Sequence, residues 1–297
     1  MKKITVFIIF VMMSFCVLAQ DGIPSVSSGS IKRFFIESAF VDSRNVDIWL
    51  PENYNHSKKY AVLYMHDGQQ LFDNKTWNGQ EWKVDETIDS LLKVNEIQDV
   101  IVVGILNNGN KRYPEYFPEK VIYNLPDSLK KGILSFMNET PLGDNYLKFI
   151  VKEVKPLIDK TFSTFTGKEH TFICGSSMGG LISMYALCEY PEVFGGAICM
   201  STHWIGILDY NTEIPDAFVN YLKVSLPPPS SHKIYFDCGT EGLDVNYPIC
   251  QSKIDEVMQL KGYHSKLWQT RHFEGANHSE KYWAERLHIP LKFMLEK

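Results

Sequence analysis

The chain has 297 residues, of which 44% are hydrophobic and 22% are charged, and its formal net charge is -5 at pH 7. This is the composition of an ordinary globular protein, and the length is sufficient for one large domain. The negative charge balance and the lack of a basic stripe exclude nucleic acid as the expected partner.

The first residues predict a signal for export. Two lysines precede an apolar run over residues 4–17, and Ala19 supplies a small residue just beyond it. A basic start, a short apolar core and a small exit residue are typical of a secretory signal peptide. The run is too short to span a membrane comfortably, and no later stretch qualifies. We therefore expect residues 1–19 to be removed, with cleavage after Gln20 as the alternative, which leaves a bacterial secreted or periplasmic domain of residues 20–297.

The beginning of the mature chain predicts a hairpin followed by two buried strands. Residues 31–40 alternate in part between apolar and polar side chains, and residues 45–50 alternate clearly, which is typical of an antiparallel pair. Residues 60–65 and 100–106 are apolar throughout, as expected of strands that are buried on both faces. A helical pattern over residues 82–97 separates these two runs, so they are expected to pair in parallel.

The rest of the chain continues the alternation of strands and helices. Residues 107–141 form a long mixed segment, and a segment of that length between core elements is more often functional than idle. Further strands are predicted at residues 196–200, 232–238 and 266–273, and helices at residues 146–162, 215–224, 247–261 and 279–295, the last interrupted at Pro290. The pattern predicts an α/β fold with a mainly parallel central sheet, helices on both faces and an N-terminal antiparallel hairpin.

The spacing of two glycines around Ser177 predicts a catalytic turn. Apolar residues 172–174 lead into Gly175, and a helical pattern over residues 181–187 follows Gly179. This order is typical of a nucleophile elbow, in which a sharp strand-to-helix turn lifts a serine above the end of a sheet. We expect glycine at both flanking positions because a side chain there would collide with the neighbouring strand or helix.

A serine nucleophile needs a base, and the base needs an acid that orients it. His278 lies between the last predicted strand and the last predicted helix, so it is the expected base. Asp244 lies in the turn after the predicted strand at residues 232–238 and is the expected acid. Glu241 in the same turn and Asp237 within the strand are the alternatives.

The negative oxygen formed during ester cleavage needs two N–H donors. One is expected from Met178, which directly follows the predicted nucleophile. The second is expected from Gln69, because residues 66–70 follow an early core strand and Gly68 would let the backbone approach the substrate.

Several side chains on the loops near this site are candidates for substrate binding, since aromatic rings can stack on sugar or cinnamoyl rings. The candidates are Trp77, Trp82, Arg112, Tyr116 and Trp204. The alternative for each aromatic residue is packing in the core. His66 and Asp67 could bind a metal ion, but two adjacent residues are poor evidence, so no metal and no cofactor is expected.

With these residues in place, the chain resembles the esterase D-like branch of the α/β-hydrolases. That group includes feruloyl and acetylxylan esterases (carbohydrate esterase family 1) and enterochelin-type siderophore esterases. The resemblance extends over nearly the whole mature chain and rests on residues 66–72, 103–105, 112–118, 175–180, 239–240 and 274–279. It implies the α/β-hydrolase fold and ester hydrolysis, with the family's nucleophile and base at Ser177 and His278. The family places its acid variably after the Gly-Thr pair, and some siderophore esterases have none.

We expect a secreted serine esterase that removes feruloyl or acetyl groups from plant polysaccharide, because export places it with extracellular glycans. A siderophore or another small ester is the alternative substrate. Acyl transfer to a sugar or lipid is an alternative reaction, and a non-catalytic glycan-binding protein is an alternative class. The presence of both Ser177 and His278 favours catalysis.

Overall fold

A computed structural model describes residues 22–297, and its centre is an eight-stranded sheet. The predicted signal peptide lies outside this range. The strands are β1 (Ser30–Ile36), β2 (Arg44–Leu50), β3 (Ala61–Met65), β4 (Val100–Ile105), β5 (Thr171–Ser176), β6 (Gly196–Met200), β7 (Lys233–Gly239) and β8 (Trp268–Phe273). They lie in the order β1-β2-β4-β3-β5-β6-β7-β8, and β2 pairs antiparallel with both of its neighbours, whereas all other pairs are parallel. The predicted hairpin and mainly parallel sheet are confirmed.

Helices cover both faces of this sheet. They are α1 (Val84–Lys93), α2 (Arg112–Tyr116), α3 (Glu119–Tyr123), α4 (Asp127–Met137), α5 (Gly143–Phe149), α6 (Lys155–Thr161), α7 (Met178–Glu189), α8 (Glu213–Ser225), α9 (Tyr247–Leu260), α10 (Glu280–Arg286) and α11 (His288–Leu295). Short 3-10 turns lie at Gly68–Gln70, Gly109–Lys111, Lys168–His170 and Gly242–Asn246. A π-helical turn at Ile150–Val154 joins α5 to α6. No helix within residues 22–297 combines the length and the apolar character needed to cross a membrane.

Alternate residues of the central strands face two separate apolar cores. In β3, Val62 and Tyr64 belong to one core, whereas Ala61, Leu63 and Met65 belong to the other. Helices α1, α10 and α11 complete the smaller core, and α2 to α9 complete the larger one. Because both faces of β3 are covered, its sequence is apolar throughout, which is the pattern that predicted it.

The long segment over residues 107–141 carries three helices, α2 to α4. A buried ion pair attaches it to β2, since Arg44 Nη1 lies 2.7 Å and Nη2 lies 2.5 Å from the two carboxylate oxygens of Glu115. A buried arginine with two parallel hydrogen bonds fixes both position and orientation of its partner. The pair therefore holds α2 in place at the carboxyl end of the sheet.

The closing helix is interrupted three residues before the predicted position, Pro290. Helix α10 ends at Arg286 and α11 begins at His288. A proline has no N–H, and its ring crowds the carbonyl group four residues earlier, which here belongs to Arg286. The break therefore falls at Leu287, one turn ahead of the proline.

Candidate active site

Ser177 occupies a sharp turn between β5 and α7, with φ +57° and ψ -123°. A residue with a side chain rarely adopts this conformation, and it persists only where the surroundings enforce it. A Cβ atom on Gly175 would lie 2.7 Å from the carbonyl carbon of Gly179, so glycine is required there. A Cβ atom on Gly179 would meet its nearest neighbour at 3.5 Å, an ordinary contact, so the collision expected at that position is not found. It occurs instead at Gly180, where a Cβ atom would lie 2.9 Å from Thr202 Oγ1.

The candidate nucleophile, acid and base lie at one edge of the sheet. Ser177 follows β5, Asp244 lies in the 3-10 turn after β7, and His278 lies in the loop after β8. Strands β5 to β8 are consecutive and parallel, so their carboxyl ends meet at the same edge. In open α/β sheets this edge is where ligands bind.

The structure places one of the three proposed acids against the proposed base. His278 Nδ1 lies 2.5 Å from Asp244 Oδ1. Glu241 is exposed, and the carboxylate of Asp237 is occupied by Arg286 instead. A carboxylate at Nδ1 favours the tautomer that carries its proton there, which leaves the lone pair of Nε2 free to accept a proton.

Asp244 is buried but stays ionised. Burial disfavours its charge, but hydrogen bonds from His278, from the Ser201 hydroxyl at 2.6 Å and from the Gly239 amide at 2.7 Å outweigh burial and lower its pKa. A charged carboxylate in this position orients an imidazole and stabilises the imidazolium ion that forms when the ring takes a proton.

The expected hydrogen bond between Ser177 and His278 is not formed within residues 22–297. A series of contacts through His203 and Tyr247 connects the Ser177 backbone to the His278 ring. The His203 amide donates to the Ser177 carbonyl oxygen at 3.2 Å, and its ring contacts the hydroxyl group of Tyr247. The Tyr247 ring packs edge-on against His278, with centroids 5.7 Å apart. In hydrolases without substrate, a nucleophile–base hydrogen bond is often long and tightens only in the complex.

The loop after β3 carries the candidate donor Gln69 and packs against the elbow. A Cβ atom on Gly68 would lie 2.7 Å from a backbone carbonyl carbon of β4, so the loop approaches the sheet closely only with glycine there. A Cβ atom on Gly179 would lie 3.7 Å from Asp67 Oδ2, so the same loop borders the start of α7. Met178 is the first residue of α7, where a helix amide has no partner within the helix.

An ion pair that the sequence did not predict fixes this loop. The Asp67 carboxylate accepts hydrogen bonds from Arg112 Nε at 2.7 Å, Arg112 Nη2 at 2.8 Å and Asn107 Nδ2 at 2.7 Å. Burial favours the neutral form of Asp67, but these partners outweigh it and lower the pKa of the carboxyl group. Asp67 also has a left-handed backbone, with φ +55°, which the ion pair helps to hold. The Arg112 guanidinium therefore holds the loop in place through Nε and Nη2, and its role in substrate binding stays a prediction.

His66, named above as a weak metal candidate, is a buried and neutral residue. Its Nδ1 lies 2.8 Å from the Tyr146 hydroxyl group, and burial lowers its pKa to about 3. Across the part of the chain that the structure describes, no three His, Cys, Asp or Glu side chains are arranged to hold a metal ion.

Three of the five candidate substrate-binding residues lie in the core and not at the rim. The side chains of Trp82, Tyr116 and Trp204 are at most 2% exposed. The indole N–H of Trp204 donates to Gln251 at 2.8 Å, so its polar atom also has a protein partner. A large ring near a strand end stabilises the fold more when it is buried in the core than when it lies at the rim of the site. This explains why the rim position was wrong for these residues. Trp77 is 39% exposed and keeps a free surface.

Sequence reasoning missed the buried side chains that surround Asp244. These are Ser201, His203, Tyr247, Trp283 and Arg286. Burial, with the positive charge of Arg112 nearby, lowers the pKa of His203 to about 3. Ser201 and His203 directly follow β6, so their place at the carboxyl end of a predicted strand was the available signal.

A family model described as "Putative esterase" matches residues 38–294. Among curated proteins, the chain is 24% identical over 264 residues to the uncharacterized protein YbbA of Bacillus subtilis (strain 168), a match that covers 86% of this chain and 94% of that one. It is 24% identical over 225 residues to an endo-1,4-beta-xylanase/feruloyl esterase of Xylanibacter ruminicola, with 74% of this chain and 25% of the relative covered. The chain thus spans about a quarter of the length of that relative.

Solved structures share the fold. A ferulic acid esterase aligns with a TM-score of 0.67 and 20% identity, over 90% of this chain and 97% of its own. The enterobactin esterase FES from Shigella flexneri aligns with a TM-score of 0.68 and 16% identity, over 91% of this chain and 60% of its own. At these identities the likeness establishes the α/β-hydrolase fold alone.

We predict that Asp67→Asn destabilises the protein most at neutral pH. Asparagine tolerates the left-handed backbone but loses the charge that pairs with Arg112, which costs about 2 kcal/mol of the free energy of unfolding. Because the pKa of Asp67 is lowered from 3.8, its contribution is complete above that pH and is lost as the pH falls through the folded-state pKa. Urea unfolding at several pH values should show the difference from wild type narrow below about pH 4.

Asp99→Asn is the matched control for this prediction. Asp99 forms an ion pair with Lys58 in which both side chains are well exposed, at 42% and 38%. Its loss should cost less than about 1 kcal/mol. A difference between wild type and Asp67→Asn that stays constant from pH 7 to pH 2 would contradict the assigned ion pair.

Proposed function

This chain belongs to the Esterase family, and we propose that it hydrolyses carboxylic esters with Ser177 as the nucleophile. The observation that carries the proposal is the 2.5 Å contact between His278 and Asp244 at the sheet edge where Ser177 stands in a strained turn. An imidazole oriented by a buried carboxylate, at the same sheet edge as an elevated serine, is the arrangement that acyl transfer requires.

In the proposed reaction, Ser177 Oγ attacks the ester carbonyl carbon while His278 Nε2 takes the hydroxyl proton. The amides of Met178 and Gln69 donate hydrogen bonds to the negative oxygen that forms. His278 then gives its proton to the departing alcohol, which leaves an acyl group on Ser177. Water attacks that acyl group, again with His278 as the base, and releases the acid and the free serine. Throughout, Asp244 keeps the ring in one orientation and stabilises its charged form.

We further propose that the substrate is an acylated plant polysaccharide, with feruloyl favoured over acetyl. Four exposed apolar side chains lie in the segments that follow β6 and β7, two strands whose carboxyl ends form the candidate edge. They are Leu208, Tyr210, Val245 and Ile249. An aromatic acyl group would cover apolar surface there that an acetyl group is too small to reach. Trp77, beyond the loop after β3, offers a further exposed ring, and one relative carries feruloyl esterase in its name.

Export is also part of the proposal. Residues 1–19 would act as a cleaved signal peptide and residues 20–297 would form a single esterase domain. The mature enzyme would then meet extracellular glycan directly.

We predict that Ser177→Ala lowers kcat/KM for p-nitrophenyl acetate by about 10⁴-fold or more, because the acyl-enzyme can no longer form. Ser176→Ala is the matched control, since Ser176 is the adjacent serine and is buried at 3% exposure. It should retain activity within about threefold, as expected for a residue outside the reaction. Equal activity of Ser177→Ala and wild type would eliminate the serine mechanism.

For the acyl group, the quantity to compare is the kcat/KM of each ester divided by the rate of its uncatalysed hydrolysis. We predict that this ratio is higher for methyl ferulate than for p-nitrophenyl acetate. The double variant Leu208→Ser, Ile249→Ser should raise KM for methyl ferulate by about tenfold, because it removes apolar contact area, and change that for the acetate less than about twofold. Val224→Ser is the control, since Val224 is 84% exposed near the end of α8, at the opposite edge. A similar change in KM for both esters would show that this surface does not contact the acyl group. Hydrolysis of a catecholate siderophore ester, and of neither of these two esters, would favour the alternative substrate.

For export, we predict that the full chain expressed in a bacterium yields an extracytoplasmic protein whose intact mass corresponds to a start at Gln20. A start at Asp21 would correspond to the alternative cleavage site. Ala19→Trp should block processing, since the exit position of a signal peptide accepts only small residues. Full-length protein that stays in the cytoplasm would disprove export without affecting the proposed chemistry.

A further inference from the structure

We propose that Ser201 is a positioning residue that fixes Asp244 in its contact with His278. Ser201 directly follows β6 and is fully buried, so it does not touch an ester bound at Ser177. Its effect on the reaction passes through Asp244. The inference rests on the proposed function, in which Asp244 orients the base.

Only one assignment of donors and acceptors fits the three hydrogen bonds of the Ser201 hydroxyl group. Its oxygen lies 2.6 Å from Asp244 Oδ2, 3.0 Å from Trp283 Nε1 and 2.9 Å from Arg286 Nη2. Indole and guanidinium nitrogens can only donate, so these two groups occupy the lone pairs of the serine oxygen. The single hydroxyl proton is therefore directed at Asp244. A donor whose own oxygen accepts two hydrogen bonds, one of them charged, is polarised toward its acceptor.

The two oxygens of Asp244 consequently have separate roles. Oδ2 accepts from the Ser201 hydroxyl group and from the Gly239 amide, which come from the ends of the neighbouring strands β6 and β7. Oδ1 is left to His278 Nδ1. Two donors from different strands stop the carboxylate from rotating, so Oδ1 points at the imidazole in one orientation.

Asp237, in the neighbouring strand β7, holds the backbone of Ser201 in place. Its amide donates to the Asp237 carbonyl oxygen at 2.8 Å and to Asp237 Oδ1 at 3.2 Å. Arg286 links Asp237 to Ser201, since its Nη2 donates hydrogen bonds both to Asp237 Oδ1, at 2.9 Å, and to the serine oxygen. The Ser201 backbone has φ +41°, a conformation that costs free energy and persists where the surroundings over-determine it. In this conformation the hydroxyl group is buried and donates to Asp244.

The experiment measures hydrolysis of p-nitrophenyl acetate and the rate at which a fluorophosphonate labels Ser177. Labelling needs an active base but no natural substrate, so it reports on the positioning of His278 independently of specificity. Ser201→Ala should lower kcat and the labelling rate by about tenfold, with KM changed less than about twofold. In an Asp244→Ala background the same substitution should cause no further loss, because a residue that acts through Asp244 has nothing left to position.

Two further variants keep the test decisive. Ser201→Gly also removes the hydroxyl group but relieves the positive φ, so it serves if the alanine variant fails to fold, and the same loss is expected. Thr164→Val is the matched control, since Thr164 is 2% exposed and its hydroxyl group donates to the carboxylate of Asp159 at 2.8 Å, outside this site. It should leave both rates unchanged while thermal unfolding shows a comparable loss of stability.

The outcomes separate the two proposals. Labelling of Ser177 that slows in the Ser201 variants, with none of the esters hydrolysed, would support the positioning role and remove the proposed substrates. Equal losses in the wild-type and Asp244→Ala backgrounds would show that Ser201 supports the fold alone. Wild-type protein that is folded but not labelled would overturn both the positioning role and the serine mechanism.

Discussion

The buried charge of Asp244 is the constraint on which the rest of this sheet edge depends. A carboxylate removed from water destabilises the fold by several kcal/mol unless donors compensate it. Here the donors come from the ends of three strands, as the side chains of Ser201 and His278 and the amide of Gly239. Arg286 adds positive charge behind them. The contacts that stabilise the charge also orient the imidazole, so the stability of the fold and the geometry of the site have one cause.

Strained backbone accompanies this arrangement. Three of the seven described non-glycine residues with positive φ, namely Asp67, Ser177 and Ser201, follow the strands β3, β5 and β6 at the candidate edge. Such conformations cost about 1–3 kcal/mol each and persist where other contacts enforce them. Arg112 supplies those contacts for Asp67, and Asp237 supplies them for Ser201. Two apolar cores, one on each face of the sheet, offset the cost, and the elements that carry the site are thereby held in orientations that the chain would not adopt alone.

Sequence patterns predicted the features that local chain chemistry controls. The apolar run at residues 60–65 identified a strand covered on both faces, and the glycine spacing identified the turn at Ser177. The patterns failed where distant segments decide the environment of a side chain. Tyr116 suits a rim or a core equally well by its chemistry, and only the assembled fold buries it. The partnership of Arg112 with Asp67 joins residues 45 positions apart, which no local periodicity records.

Two buried imidazoles at the carboxyl edge of the sheet stay neutral, which simplifies the interpretation of their NMR signals. Burial lowers the pKa of His66 and of His203 to about 3, so both rings remain uncharged over the range in which folded proteins are normally studied. Each ring nitrogen Nδ1 contacts a tyrosine hydroxyl group, Tyr146 in one case and Tyr247 in the other. Neither ring should therefore change its own protonation state between pH 5 and pH 8, so a shift of their proton resonances in that range would report a change in a neighbouring group.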